Sequence, residues 1–190
     1  KMAVELAKKL NAVVVNCDSM QVYENLNIGT AKVTKEEMDG VKHELLDFVP
    51  LDKVYTVYDY QEDARRIIAK YQGKNLIFVG GTGLYLKAAL YDYQFKAEDG
   101  IRNEYEDLSN EELYRLALDK DKDILIHPNN RQRLVRFLNK SGDSNVISVP
   151  LYEAIYVGLT TDRDNLYTKI NDRVDKMFKE GLLEEVKSLY

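Results

Sequence analysis

Cysteine occurs once in the 190 residues, at Cys17, so no internal disulfide can form. That scarcity suits a reducing compartment such as the cytoplasm. Histidine occurs twice, at His43 and His127, far apart and without the Cys/His spacing that binds zinc. No apolar run approaches the ~20 residues needed to cross a bilayer, so no membrane partner is expected. Excess positive charge is also missing. A formal net charge of −5 excludes a uniformly basic nucleic-acid binder and leaves room only for a local basic patch on an acidic body.

What is present is an ordinary globular balance, 45% hydrophobic and 31% charged. The length suffices for one domain with a proper core and a small appendage. The chain organises around Ala12–Tyr23, Ala-Val-Val-Val-Asn-Cys-Asp-Ser-Met-Gln-Val-Tyr. The β-branched run predicts a buried parallel strand. The abrupt turn to polarity at Asn16 and Asp18 falls where open α/β sheets gather their chemistry, at the carboxyl edge. Asp18 then either faces a cleft or simply caps the next element.

The flanking segments alternate. An amphipathic helix precedes the strand, with Ala3, Leu6, Ala7 and Leu10 on one face. It starts at Lys1 without a capping residue, and a helical pattern is still running at Tyr190; a chain that continues at both ends is expected. Thr34-Lys-Glu-Glu37 reads as a capping box opening a short helix that Gly40 ends. Glu44–Val49 predicts a second strand and Thr56–Asp59 a second capped helix, running to Gly73. Asn75–Val79 reads as the clearest buried strand, followed at once by Gly80-Gly-Thr-Gly83 and a helix through Leu90. Strand and helix alternating over short links predict an α/β fold with a parallel sheet and right-handed crossovers. From Tyr91 the composition turns acidic and loses strand signals. Residues 99–150 are expected to form a small helical insertion, with 1–98 and 151–190 making the α/β core. Ala154–Leu159 predicts a return to strand, and Thr161-Asp-Arg-Asp164 opens a long helix.

Three features carry candidate chemistry. Gly80-Gly-Thr-Gly83, between strand and helix, either offers bare backbone N–H groups to an anion or is only a tight turn. Arg131-Gln-Arg-Leu-Val-Arg136 places Arg133 and Arg136 on one helical face, to grip phosphates or to remain a solvated surface. Arg163, just past the fourth predicted strand, would stand at the same sheet edge as Asp18 and suits a phosphate leaving group. The plainer alternative is a surface ion pair. Cys17 reads as a small buried residue without a nucleophilic role.

The order of these segments is more specific than any one of them. Asp18-Ser-Met-Gln-Val-Tyr, Asn27-Ile-Gly-Thr-Ala-Lys32, Val79-Gly-Gly-Thr-Gly-Leu-Tyr85, Ile126-His-Pro-Asn-Asn-Arg-Gln-Arg133 and Gly158-Leu-Thr with Arg163 together closely resemble the tRNA dimethylallyltransferase family. Ile170–Asp175 and Glu180–Val186 resemble it too. The resemblance implies a P-loop-type parallel sheet flanked by helices. The implied reaction moves a dimethylallyl group from dimethylallyl diphosphate to N6 of adenosine 37, in the anticodon stem-loop of tRNA, with Mg2+ accompanying the diphosphate. It also implies a glycine-rich phosphate loop ending Gly-Lys-Thr immediately before Lys1, and further helices after Tyr190; this sequence contains neither. By the same resemblance Asp18 is the general base and Arg163 neutralises the departing diphosphate. Thr82 holds a reacting group, and Ser19, Met20 and Gln21 line the pocket of the target base. Gln132, Arg133, Leu134, Val135 and Arg136, with Arg102, contact the anticodon loop. The expected protein is a monomer. A nucleotide or small-molecule kinase, or an adenylate prenyltransferase, on a related P-loop core is the alternative enzyme. An RNA-binding module is the alternative without catalysis.

Overall fold

The computed structural model describes residues 1–94, 105, 107–139 and 149–189. They fall into two units, residues 1–94 with 149–189, and the described part of 95–147. In chain order the first unit contains α1 (Met2–Leu10), β1 (Val13–Asn16), α2 (Lys35–Met38), β2 (His43–Glu44), α3 (Val57–Lys70), β3 (Leu76–Val79) and α4 (Gly83–Leu90). The second contains α5 (Asn110–Lys120) and α6 (Arg131–Asn139), and the first resumes with α7 (Arg163–Lys179) and α8 (Leu182–Ser188).

The three strands form a parallel sheet in the order β2-β1-β3. β1 is central because its residues can be buried on both faces. Val14 packs with Ala7 of α1 and Ala12 on one side. Val15 packs on the other with Tyr60 and Ala64 of α3 and with Tyr85 and Ala89 of α4. Burying one such valine is worth roughly 1.5–3 kcal/mol, so the apolar run Val13–Val15 anchors both layers. The α/β parallel architecture expected from the alternation is therefore the one observed. Thr34 and Thr56 form the predicted capping boxes, with Glu37 and Asp59 answering at the third helical position, and Ser109 forms another with Glu112.

Three expected strands take different forms. β2 ends at Glu44 rather than running to Val49, because Leu45 (φ 58°) and Asp47 (φ 55°) enter the left-handed region. The bend turns the Leu45 carbonyl onto the side-chain amide of Asn16, 2.9 Å away, and Val49 rejoins only as an isolated parallel bridge to Tyr23. β3 is an edge strand among the described residues rather than a buried one, with Val79 39% exposed. Residues 154–159 form no strand at all: they are irregular, and Ile155 is 94% exposed. No described strand pairs with this apolar segment.

In the second unit, Leu113 and Ala117 of α5 close on Leu134 of α6. The Arg131 guanidinium is structural there, donating to the carbonyls of Leu108 at 2.6 Å and Tyr105 at 2.8 Å.

Among the described glycines, Gly80 has the closest backbone neighbours. A Cβ on this residue would lie 2.3 Å from the Cys17 carbonyl carbon and 2.7 Å from the Asp18 nitrogen. Gly80→Ala is expected to lower stability by about 1–3 kcal/mol. Gly81→Ala, with nothing within 4 Å of the new methyl, should stay within about 0.5 kcal/mol of the parent. Urea unfolding midpoints compare the two.

Candidate active site at the carboxyl edge of the sheet

The ends of β1 and β3 are joined by backbone. Cys17 N donates to Val79 O at 2.7 Å, and Thr82 N donates to Cys17 O at 3.0 Å. These two bonds carry the chain over the bare Gly80 and bring the Asp18–Gln21 turn against the start of α4. Ser19 N donates to Thr82 Oγ1 at 3.1 Å, and the Thr82 hydroxyl lies 3.4 Å from Ser19 Oγ. Thr82 precedes α4 but makes no side-chain cap to it; its hydroxyl is turned to the β1 turn instead.

Asp18 is half-buried. One carboxylate oxygen accepts from Met20 N at 2.9 Å and Gln21 N at 3.3 Å. Its other oxygen takes no hydrogen bond from the described residues. One oxygen is thus used to aim the group. Of the two alternatives for Asp18, the turn-closing one is the one these bonds describe.

Asn16 supplies the rigidity. Its side chain is buried, accepts from Asp18 N at 3.0 Å, and donates to Asp18 O at 3.0 Å and to Leu45 O at 2.9 Å. Behind it, the Tyr60 hydroxyl donates to Asn16 O at 2.9 Å. That leaves the Cys17 thiol to donate to the Tyr60 oxygen, 2.8 Å away. Tyr60 in turn stacks on Tyr85, centroids 3.9 Å apart. Burial pushes the Tyr85 phenol up to about 12, and its neighbours Tyr23, Asp59 and Asp18 add to that effect. This aromatic floor therefore stays neutral.

The loop after the turn is fixed as well. Gln21 Nε2 donates to Thr30 O at 3.0 Å, and Asp47 N donates to Gln21 O at 3.0 Å. The buried Lys32 ammonium donates to Tyr23 O at 2.6 Å and pairs with Asp47. Met20 is exposed, whereas Ser19, Gln21 and Thr82 are half-buried.

Asp18, Ser19, Met20, Gln21 and Thr82 are accordingly brought together. Arg163 is not joined to them. It opens α7, is exposed, and has no side-chain hydrogen bond or ion pair among the described residues. The expectation that a strand at 154–159 would deliver it to the sheet edge is corrected by the absence of that strand. On α6, Gln132, Arg133 and Arg136 are exposed, but Leu134 is fully buried against α5, so its side chain belongs to the core of that unit rather than to a ligand surface. Val135 is half-buried in the same cluster. Arg102 lies outside the described residues.

Sequence reasoning passes over Asn16, Lys32 and Tyr60. Asn16 carries a signal, being the first polar residue after an apolar run. Lys32 lies inside a motif that gives it no role. Tyr60 shows only the helical period of α3.

The family model for IPP transferase matches residues 21–190. The tRNA dimethylallyltransferase of Anoxybacillus flavithermus is 41% identical over the whole chain, which covers 66% of that protein. That of Bacillus subtilis is 40% identical, with 100% of this chain and 67% of that protein covered. The chain thus spans about two-thirds of the length of these curated relatives. Among solved structures, the full-length tRNA isopentenylpyrophosphate transferase of Bacillus halodurans matches with a TM-score of 0.70 at 37% identity, covering 100% of this chain and 65% of that one. A eukaryotic dimethylallyltransferase acting on tRNA matches at 0.79 and 27% identity, covering 99% and 52%.

Cys17 should be chemically silent in the folded protein. It is fully buried, and burial raises its thiol to about 12. At pH 8 that leaves it roughly a thousandfold poorer in thiolate than an ordinary cysteine. A disulfide reagent should titrate no thiol until denaturant is added, and then one per chain.

Proposed function

The chain belongs to the IPP transferase family, and on that footing we propose that the protein transfers a dimethylallyl group from dimethylallyl diphosphate to N6 of adenosine 37 in the anticodon stem-loop of tRNA. The observation that carries the reading is the joining of two strand ends. The turn whose backbone fixes one oxygen of the Asp18 carboxylate is bonded through Ser19 N to the Thr82 hydroxyl at the neighbouring strand end.

The acceptor nitrogen is a poor nucleophile because its lone pair is delocalised into the adenine ring. The open oxygen of Asp18 orients the amine and takes its proton as the new C–N bond forms. The C–O bond to diphosphate breaks in the same exchange, and its electron pair leaves with the diphosphate. Thr82 holds one reacting group by its hydroxyl, and Ser19, Met20 and Gln21 line the base pocket. To reach a half-buried carboxylate the adenine must leave its stack, so the acceptor is a flipped base. On the family footing Arg163, exposed at the first turn of α7 and joined to none of these residues, is assigned to the charge gathering on the leaving diphosphate. Gln132, Arg133 and Arg136, with Arg102, contact the anticodon loop.

Magnesium belongs to this proposal as the diphosphate's companion. No group of three Asp, Glu, His or Cys side chains gathers among the described residues. One carboxylate with the hydroxyls of Ser19 and Thr82 is not a metal cage, but it fits an ion that keeps its waters and is held largely by phosphate oxygens. When bound, such an ion supplies neutralising charge to the diphosphate.

Asp18→Asn, in the whole protein, should lower the rate of prenyl transfer about 100- to 10,000-fold while tRNA binding, followed by filter retention, stays within about twofold. Retained transfer would remove Asp18 from the base role. Transfer to free AMP in preference to an anticodon stem-loop would favour an adenylate prenyltransferase. Replacing both Arg133 and Arg136 by Gln should weaken tRNA binding and flatten the slope of log affinity against log salt by about 1 for each phosphate no longer neutralised.

A further inference from the structure

Glu185, on α8, is 158 residues from Asn27 in the chain, yet its carboxylate is seated on three consecutive backbone N–H groups of the 27–29 segment. Oε2 accepts from Asn27 N at 2.8 Å and Ile28 N at 2.7 Å, and Oε1 accepts from Gly29 N at 3.0 Å. Burial alone would raise this carboxyl, but the three N–H groups, with Lys32 nearby, hold it below the usual glutamate range. Leu182 closes over Gly29 from the same helix; a Cβ on that glycine would meet the leucine methyl at 3.3 Å. Hydrogen bonds to an ionised acceptor are about twice as strong as neutral ones, and three on one carboxylate fix the segment tightly.

The segment it fixes is the one that reaches the candidate site. Thr30, one residue on, accepts from the Gln21 side chain, and Gln21 N donates to the aimed oxygen of Asp18. Lys32 N returns to Asn27 O and Ala31 N to Ile28 O, so the loop is closed on itself and moves as a unit. Displacing residues 27–29 therefore displaces the Thr30 carbonyl and with it Gln21.

We infer that Glu185 is a positioning residue: through residues 27–30 it sets Gln21 and hence the geometry with which the Asp18 turn receives the acceptor base. This rests on the proposed prenyl transfer for its kinetic consequence, but not for its structural one. A residue that served only to attach α8 would cost stability without a selective kinetic effect. A positioning residue acts on the acceptor and acts through Gln21.

The test uses the whole protein with Glu185→Ala, Glu185→Gln, Gln21→Ala and the Glu185→Ala/Gln21→Ala double variant. Hydrogen exchange is read first, because it is independent of activity. The amides of 27–29 should exchange at least tenfold faster in Glu185→Ala, with an intermediate effect in Glu185→Gln, which keeps one acceptor oxygen. Unchanged exchange overturns the inference whatever the enzyme does. With an anticodon stem-loop as acceptor, Glu185→Ala should raise KM for RNA about tenfold and leave KM for dimethylallyl diphosphate within twofold. In the Gln21→Ala background the same substitution should cost less than a further twofold. Equal effects on both KM values, or multiplicative effects in the double variant, overturn the inference. Should Glu185→Ala fail to fold, Glu185→Gln carries the same comparison, with a smaller shift expected on RNA alone and parental behaviour overturning the inference. A parent protein without transfer activity would count against the proposed function, and the exchange result would still decide the structural link.

Discussion

The constraint on which the site depends is the crossing of two strand ends over a residue without a side chain. Cys17 and Val79 bond through their backbones, Thr82 bonds back to Cys17, and Gly80 passes between them with no room for a methyl group. Because β1 and β3 are parallel, both chains leave the sheet on the same side. The close crossing then obliges the two exits to share space. The Asp18 turn and the Thr82 hydroxyl meet there as a consequence, and neither could be moved without undoing the other.

A second layer makes that edge rigid. A polar side chain at the end of a buried strand is costly unless each of its groups is satisfied. Asn16 meets this by binding both backbone groups of Asp18 and the carbonyl of Leu45. The left-handed bend at Leu45 is the backbone's half of that arrangement. Tyr60 and Cys17 complete the network beneath, where burial keeps their hydrogens in place. The site side chains above are thus carried on a floor with little freedom, which suits chemistry that depends on orientation.

Legibility follows locality. The capping boxes at Thr34, Thr56 and Ser109 are legible because donor, acceptor and spacing all lie within four residues. The central strand is legible because Val13–Val15 is apolar on both faces. Glu44–Val49 keeps its ladder only at Glu44 and Ala154–Leu159 has none, for one shared reason: an apolar composition states a preference for a ladder but does not supply the neighbour. In the first case Asn16 draws the Leu45 carbonyl out of line. In the second no described strand stands beside the segment. Leu134 shows the same limit on α6, where a run of site-like residues contains one whose side chain the helix period turns into the core.

By itself the sequence determined the α/β class, the capped helices, the central strand with Asp18 just past its end, and, through the order of its motifs, the family. These follow from local spacing and from segments that keep their chemistry whatever surrounds them. Only the tertiary structure decided that Asn16 braces Asp18, that Arg131 is spent on carbonyls of its own unit, and that Glu185 sits on residues 27–29. Each of these joins groups whose partner is a backbone N–H or C=O. Every residue but proline carries both groups, so no side-chain pattern along the chain can announce which one will be chosen.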